Sequence, residues 1–107
     1  MPTDLQRTQE ARNEYGDWQT SFEFACLVCH YLKGQGINPQ VIIEPTCGKG
    51  NFIKAAIATF DNLEDIYGVE IYNPYLVELK DYTDKFDHVS VHLFNHDVFT
   101  FDFDTIK

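Results

Sequence analysis

The chain has 107 residues, 44% of them apolar and 15% aromatic, which fits one small packed domain and excludes a disordered segment or a many-domain enzyme. Its net charge is −9, and residues 41–107 hold 12 acidic against 5 basic side chains. Nucleic-acid-binding modules are usually basic, so these residues are not expected to grip DNA by themselves. No apolar run nears the roughly 20 residues of a membrane span, and Met1–Arg7 lacks the apolar core of a signal peptide. A cytoplasmic location without membrane contact is the expectation, and the odd count of three cysteines fits free thiols.

Residues 1–18 are polar with a weak helical tendency. Thr20-Ser21-Phe22-Glu23 reads as a capping box, with Thr20 as N-cap, and predicts a helix over Ser21–Lys33 with apolar residues at spacings of three and four. Gly34 and Gly36 end it. Val41–Glu44 reads as a buried strand, Asn51–Phe60 as a helix, and Ile66–Glu70 as a second strand. Asn73-Pro74 opens a third helix with proline at its first position and an apolar stripe of Tyr75, Leu76, Leu79 and Phe86. Val89–Phe94 is a third strand, and the state of Val98–Phe103 is left open by its alternating pattern. Strands alternating with helices imply a parallel sheet with right-handed crossovers. The expected strand order is 3-2-1, with Val41–Glu44 at one edge.

The turn after the first strand carries the strongest signal. In Glu44-Pro45-Thr46-Cys47-Gly48-Lys49-Gly50-Asn51-Phe52 an acid ends the strand, two glycines let the backbone approach a ligand, and a helix N-terminus follows with unpaired N–H donors. A dinucleotide fingerprint needs a third glycine where Ile53 stands. A phosphate-cradling loop needs Ser or Thr after Lys49, where Gly50 stands. Three acids, Glu44, Glu70 and Asp97, fall at successive strand ends, the edge where open α/β sheets bind ligands. Glu70 is 20 residues past Gly50, the distance at which an acid accepts from a ribose hydroxyl. Asp97 is placed to accept an exocyclic amine, with Ile71 and Val98 holding a flat ring between them.

The acid-Pro-x-Cys-Gly-x-Gly-x-Phe pattern resembles the cofactor loop of S-adenosylmethionine-dependent DNA methyltransferases, most closely the adenine-N6 type. Gly16-Asp17-Trp18-Gln19-Thr20-Ser21 is similar to the segment preceding that loop, where a threonine near a helix start contacts the methionine part of the cofactor; Ser21 stands where the family often has proline. Glu70-Ile71 resembles the ribose-binding acid and its apolar neighbour, and Asp97-Val98-Phe99 the adenine-binding segment. The resemblance implies part of a Rossmann-like class I methyltransferase fold and S-adenosyl-L-methionine as cofactor. It implies a cofactor set of Thr20, Glu44, Pro45, Cys47, Gly48, Gly50, Phe52, Glu70, Ile71, Asp97 and Val98.

The family's catalytic Asn- or Asp-Pro-Pro-aromatic tetrapeptide, which holds the flipped base, has no counterpart here: the sequence has no Pro-Pro pair. The expectation is therefore a single, truncated S-adenosylmethionine-binding portion of a methyltransferase from a restriction-modification system. It has no catalytic residue of its own, is inactive alone, and meets DNA through a missing C-terminal part. An RNA or protein-glutamine N-methyltransferase fragment, or a non-catalytic α/β binding or assembly module, are the alternatives. An uncovered first strand would favour self-association through that edge, unless residues 1–18 or 98–107 cover it.

Two sharper motifs are set aside. Cys26-Leu27-Val28-Cys29-His30 matches a haem-attachment signature but sits in an apolar helical pattern, where cysteine behaves as a small hydrophobe. A zinc site there would need a second ligand pair. His88, His92 and His96 recur every four residues, yet on a strand such residues are about 13 Å apart, too far to share a metal; solvated or edge positions are expected. Cys47 lies near a helix N-terminus, a setting that lowers a thiol pKa, but without a histidine partner it is expected to pack the loop.

Overall fold

The computed structural model describes residues 20–106. Their order is α1 (Phe22–Gly34), β1 (Val41–Glu44), α2 (Asn51–Thr59), β2 (Asp65–Glu70), α3 (Asn73–Thr83), β3 (Ser90–Asn95) and a short 3₁₀ turn at Phe103–Thr105. The three strands form one parallel sheet in the order β1-β2-β3, the expected order counted from the other side. Helices α2 and α3 connect successive strands, as parallel neighbours require, and α1 precedes the first.

The boundaries follow local chemistry. Ser21, and not Thr20, caps α1: its Oγ accepts from the Phe24 N–H at 3.1 Å. Both residues are good caps, so sequence alone places the start only to within one position. At the other end the Gly36 N–H donates to Lys33 O and the Ile37 N–H to Leu32 O, while Gly36 takes φ 89°. That is the Schellman pairing, and it identifies Gly36 as the left-handed residue. Asn73 is already helical, so Tyr72 is the N-cap of α3 and Pro74 lies one residue deeper than expected. The segment after β3 forms no strand. Asp97 turns it by accepting from the Phe99 N–H at 2.9 Å, and Phe101 then packs against Phe94 and Phe103, with ring centroids 5.1 and 4.9 Å away.

Alternation along the strands sorts the sheet's two faces. Ile42, Ile66, Val91 and Leu93 join one apolar cluster with Ala25 and Cys29 of α1, Ile53, Ala56 and Ile57 of α2, and Leu76 and Leu79 of α3. All three helices therefore share that face. In place of Phe86, which is only partly buried, Leu76, Leu79 and Thr83 form the buried side of α3. The opposite face carries Val41, Ile43, Tyr67, His92 and Phe94. His92 is not merely solvated there: its ring stacks on Tyr67 at 4.5 Å and its Nε2 lies 3.1 Å from Asp65 Oδ1. Among the described residues no group of His, Cys, Asp and Glu has a metal-holding arrangement. All three cysteines are free, and Cys26 and Cys29 pack with the core.

One close approach places the loop after β1. Gly50, at φ 84°, begins α2, and a Cβ there would collide with the fully buried Leu79 side chain of α3. Left-handed backbone costs a non-glycine residue roughly 1–2 kcal/mol, and overpacking adds about 1–3 kcal/mol. Gly50→Ala is expected to lose at least about 2 kcal/mol in urea unfolding. Adding Leu79→Ala should relieve the collision, so the double variant should lose less than the sum of the two single losses. Strict additivity would show that the contact does not set the loop.

Candidate cofactor site

The C-terminal ends of β1, β2 and β3 meet where the sequence placed the acids. Glu70 is the centre. Its side chain is buried, and its two oxygens are held by different segments: Oε1 accepts from the Gly48 N–H at 2.9 Å and Oε2 from the Tyr72 N–H at 2.8 Å. The loop after β1 and the turn after β2 are thus tied to one carboxylate. Cys47 reinforces the first tie, its N–H donating to Val69 O at 3.0 Å. A carboxylate offers about four lone-pair positions, so two remain for a further donor.

Cys47 itself points inward. A Cβ on Gly68 would lie 3.1 Å from its sulfur. Burial, then the charges of Glu70 and Glu44, push the Cys47 thiol up to about 12, against the lowering expected from its place before a helix. It is a neutral packing group, as its role in the loop requires. Phe52 also turns towards the core. Pro45 is exposed, and Gly48 and Gly50 line the loop with backbone at positive φ. No side chain caps α2, which leaves its first N–H groups facing that loop.

The third strand's residues reach the same edge. Asn95 donates through Nδ2 to both Glu70 O at 3.0 Å and Ile71 O at 2.9 Å, and the His96 N–H adds a bond to Glu70 O at 3.2 Å. Asp97 follows, with one carboxylate oxygen spent on the Phe99 N–H. Ile71 is 44% exposed and Val98 is half-buried, so apolar surface is available beside both acids. Thr20 is brought to the loop by its carbonyl, which accepts from Asn51 Nδ2 at 2.7 Å. Gly16–Gln19, the rest of that sequence-read segment, lie outside the described residues. Two contributors were missed in the sequence: Asn51 and Asn95. Their acceptors, Thr20, Glu70 and Ile71, lie 31, 25 and 24 positions away in the chain, so no local pattern marks them.

Burial raises the Glu44 carboxyl above the usual range, opposed in part by the hydrogen bond from the Thr46 backbone. A folded-state pKa above the unfolded one means that the native chain binds more protons between the two values, so stability falls as pH rises through that interval. Glu44→Gln is expected to melt at a higher temperature than the parent at pH 7 and to show no advantage at pH 3.5. Identical melting at pH 7 would mean that Glu44 ionises without cost.

No protein-family model matches the chain. Type II methyltransferase M.NspV from Nostoc sp. (strain ATCC 29411 / PCC 7524) is 44% identical over 77 residues, 72% of this chain and 16% of that protein. The chain thus spans about a sixth of that relative's length. Among solved structures, the mycolic acid cyclopropane synthase CmaA1 superposes with a TM-score of 0.59 at 17% identity, over 80% of this chain and 32% of that one. A modification subunit of a putative type I restriction enzyme from Vibrio vulnificus YJ016 gives 0.59 at 14% identity, over 94% and 24%. The amino pentose methyltransferase CalS10 from Micromonospora echinaspora, solved with SAM bound, gives 0.53 at 18% identity, over 95% and 39%. These structures share the Rossmann-like fold with this chain.

Proposed function

The chain belongs to the S-adenosylmethionine-dependent DNA methyltransferase family, and from that premise we propose that its residues form the cofactor-binding portion of an adenine-N6 methyltransferase of a restriction-modification system, acting in the cytoplasm. The observation that carries this reading is the pair of bonds from Gly48 N–H and Tyr72 N–H to the buried Glu70 carboxylate. They bring the glycine loop and the apolar turn at Ile71 to opposite sides of one acid.

The residues fit S-adenosylmethionine. Glu70 keeps acceptor positions for ribose hydroxyls, Ile71 and Val98 offer apolar surface to the adenine ring, and Asp97 has a carboxylate oxygen for its amine. Gly48 and Gly50 let the methionine part approach backbone N–H groups at the start of α2, with Thr20 held at the same loop by Asn51. Glu44 completes the acidic rim. When bound, the cofactor supplies an electrophilic methyl group on a sulfonium sulfur. This chain's residues bind and orient it; target-base chemistry needs the polar-Pro-Pro-aromatic element, which this sequence does not contain. DNA is then met through other parts of the methyltransferase.

Calorimetric titration with S-adenosylhomocysteine tests the reading. The parent chain should bind, and Glu70→Ala, checked for folding by its melting curve, should bind at least about tenfold more weakly, since a charged hydrogen-bond partner is worth about 1.5–3 kcal/mol. Unchanged affinity in the variant would remove Glu70 from the site, and a folded parent that binds nothing would overturn the reading for these residues.

The β1 edge supports a second part of the proposal, self-association. Within the described sheet β1 pairs only with β2, and Val41 and Ile43 are 50% and 46% exposed. Phe101 packs on Phe94 of β3, at the far edge, so the segment after β3 does not cover β1; residues 1–18, the other cover considered, lie outside the described residues. An apolar strand edge is a template for another chain. Light scattering after size exclusion should give a mass above 12.4 kDa that falls to the monomer in Ile43→Lys. A parent that stays monomeric at high concentration would refute it.

A further inference from the structure

We propose that Asn95 is a positioning residue for the cofactor site: its amide fixes the backbone of Glu70 and Ile71, and through it the direction of the Glu70 carboxylate. The inference rests on the cofactor reading above and goes beyond it, because the residues read as binding groups in the sequence do not include Asn95.

Both of Asn95's bonds run from Nδ2 to carbonyl oxygens, of Glu70 at 3.0 Å and of Ile71 at 2.9 Å. Only the amino half of an amide can face two carbonyls, so the acceptors themselves fix its orientation. Glu70 and Asn95 are register partners across β2 and β3, and past this pair the sheet ends. An ordinary ladder bond from the His96 N–H reaches Glu70 O, but at 3.2 Å it is the longer contact. The side chain of Asn95 extends the pairing one residue beyond the strand, to Ile71. It holds the peptide between Glu70 and Tyr72 in the conformation that lets the Tyr72 N–H return to Oε2 of Glu70. The same residue stands two positions before Asp97. It thereby links the acid assigned to the ribose with the segment assigned to the adenine, which otherwise come from different strands.

A residue that only stabilised the fold would lower binding in proportion to loosened structure, whatever stood at position 70. A positioning residue acts through Glu70. The test compares Asn95→Asp, which keeps the shape and replaces the donor by an acceptor, with Asn95→Ala, in the parent and in a Glu70→Gln background. In ligand-free chain, both Asn95 variants should move the Tyr72 amide proton resonance upfield as its bond to the carboxylate weakens, while resonances of the α1–α2 core stay in place. With S-adenosylhomocysteine, both should weaken binding by about tenfold or more in the parent and by clearly less in Glu70→Gln, a non-additive cycle. An unmoved Tyr72 resonance overturns the proposal whether or not ligand binds. Additive losses overturn it too. A parent that binds no ligand counts against the cofactor reading instead, and the Tyr72 resonance still decides whether Asn95 sets Glu70.

Discussion

The arrangement at the sheet edge depends on one buried carboxylate. An ionised group taken from water must be compensated by hydrogen bonds or it destabilises the fold, and bonds to a charge are worth about 1.5–3 kcal/mol each. Glu70 receives two, from backbone N–H groups belonging to different loops. Neither loop then has an independent conformation: to move the turn at Tyr72 is to unpair the charge that also holds Gly48. The Cys47 thiol beneath feels the same charge and stays protonated. That keeps a third negative group out of a space already shared by Glu44 and Glu70.

The helix layer makes that edge available by closing tightly behind it. Ala25 in α1 and Ala55 and Ala56 in α2 are buried, and small residues allow helices a close approach. Gly50 lets the start of α2 lie against Leu79, and Gly68 leaves room on β2 for Cys47, Leu93 and Ile53. The buried alanines and Gly68 would act on the ligand edge without touching a ligand, whereas Gly50 serves both the packing and the loop itself. A Cβ at Gly50 presses on α3; a Cβ at Gly68 presses on Cys47, which is bonded through its N–H to Val69, next to Glu70.

Much of this was legible in the sequence, for physical reasons that differ between elements. The strands and their order could be read because β1 and β2 end in acids after apolar runs, with Asp97 two residues past β3, and because parallel strands need helical crossovers. The glycine loop was legible because Gly48 and Gly50 take positive φ, which other residues avoid. The start of α1 was misplaced by one residue because Glu23 makes a capping box with Thr20, while Ser21, the next residue, is also a good cap and takes the bond from Phe24. The sequence could not reveal Asn51 and Asn95, since an asparagine's partners are backbone atoms brought near by tertiary structure. His92 does lie on an edge strand of the described sheet, as expected, but its partners were not foreseen for a related reason: Tyr67 and Asp65 lie on another strand, 25 and 27 positions earlier.

Charge gives the edge its chemical direction. Most of the chain's negative charge lies in residues 41–107, where Glu44, Glu70 and Asp97 fall at one sheet edge, and Lys49, the basic residue in the glycine loop, sits with its ammonium over the ring of Tyr75 at 5.7 Å. A cleft lined by one sign of charge concentrates ligands of the other. On the proposed reading the ligand carries a sulfonium and an ammonium against a single carboxylate, a net positive charge that such an edge attracts. A polyphosphate would meet the opposite field, which agrees with the loop's departure from phosphate-cradling sequences. On the same reading, the acidity that weighs against nucleic-acid binding by these residues suits them to a cationic cofactor.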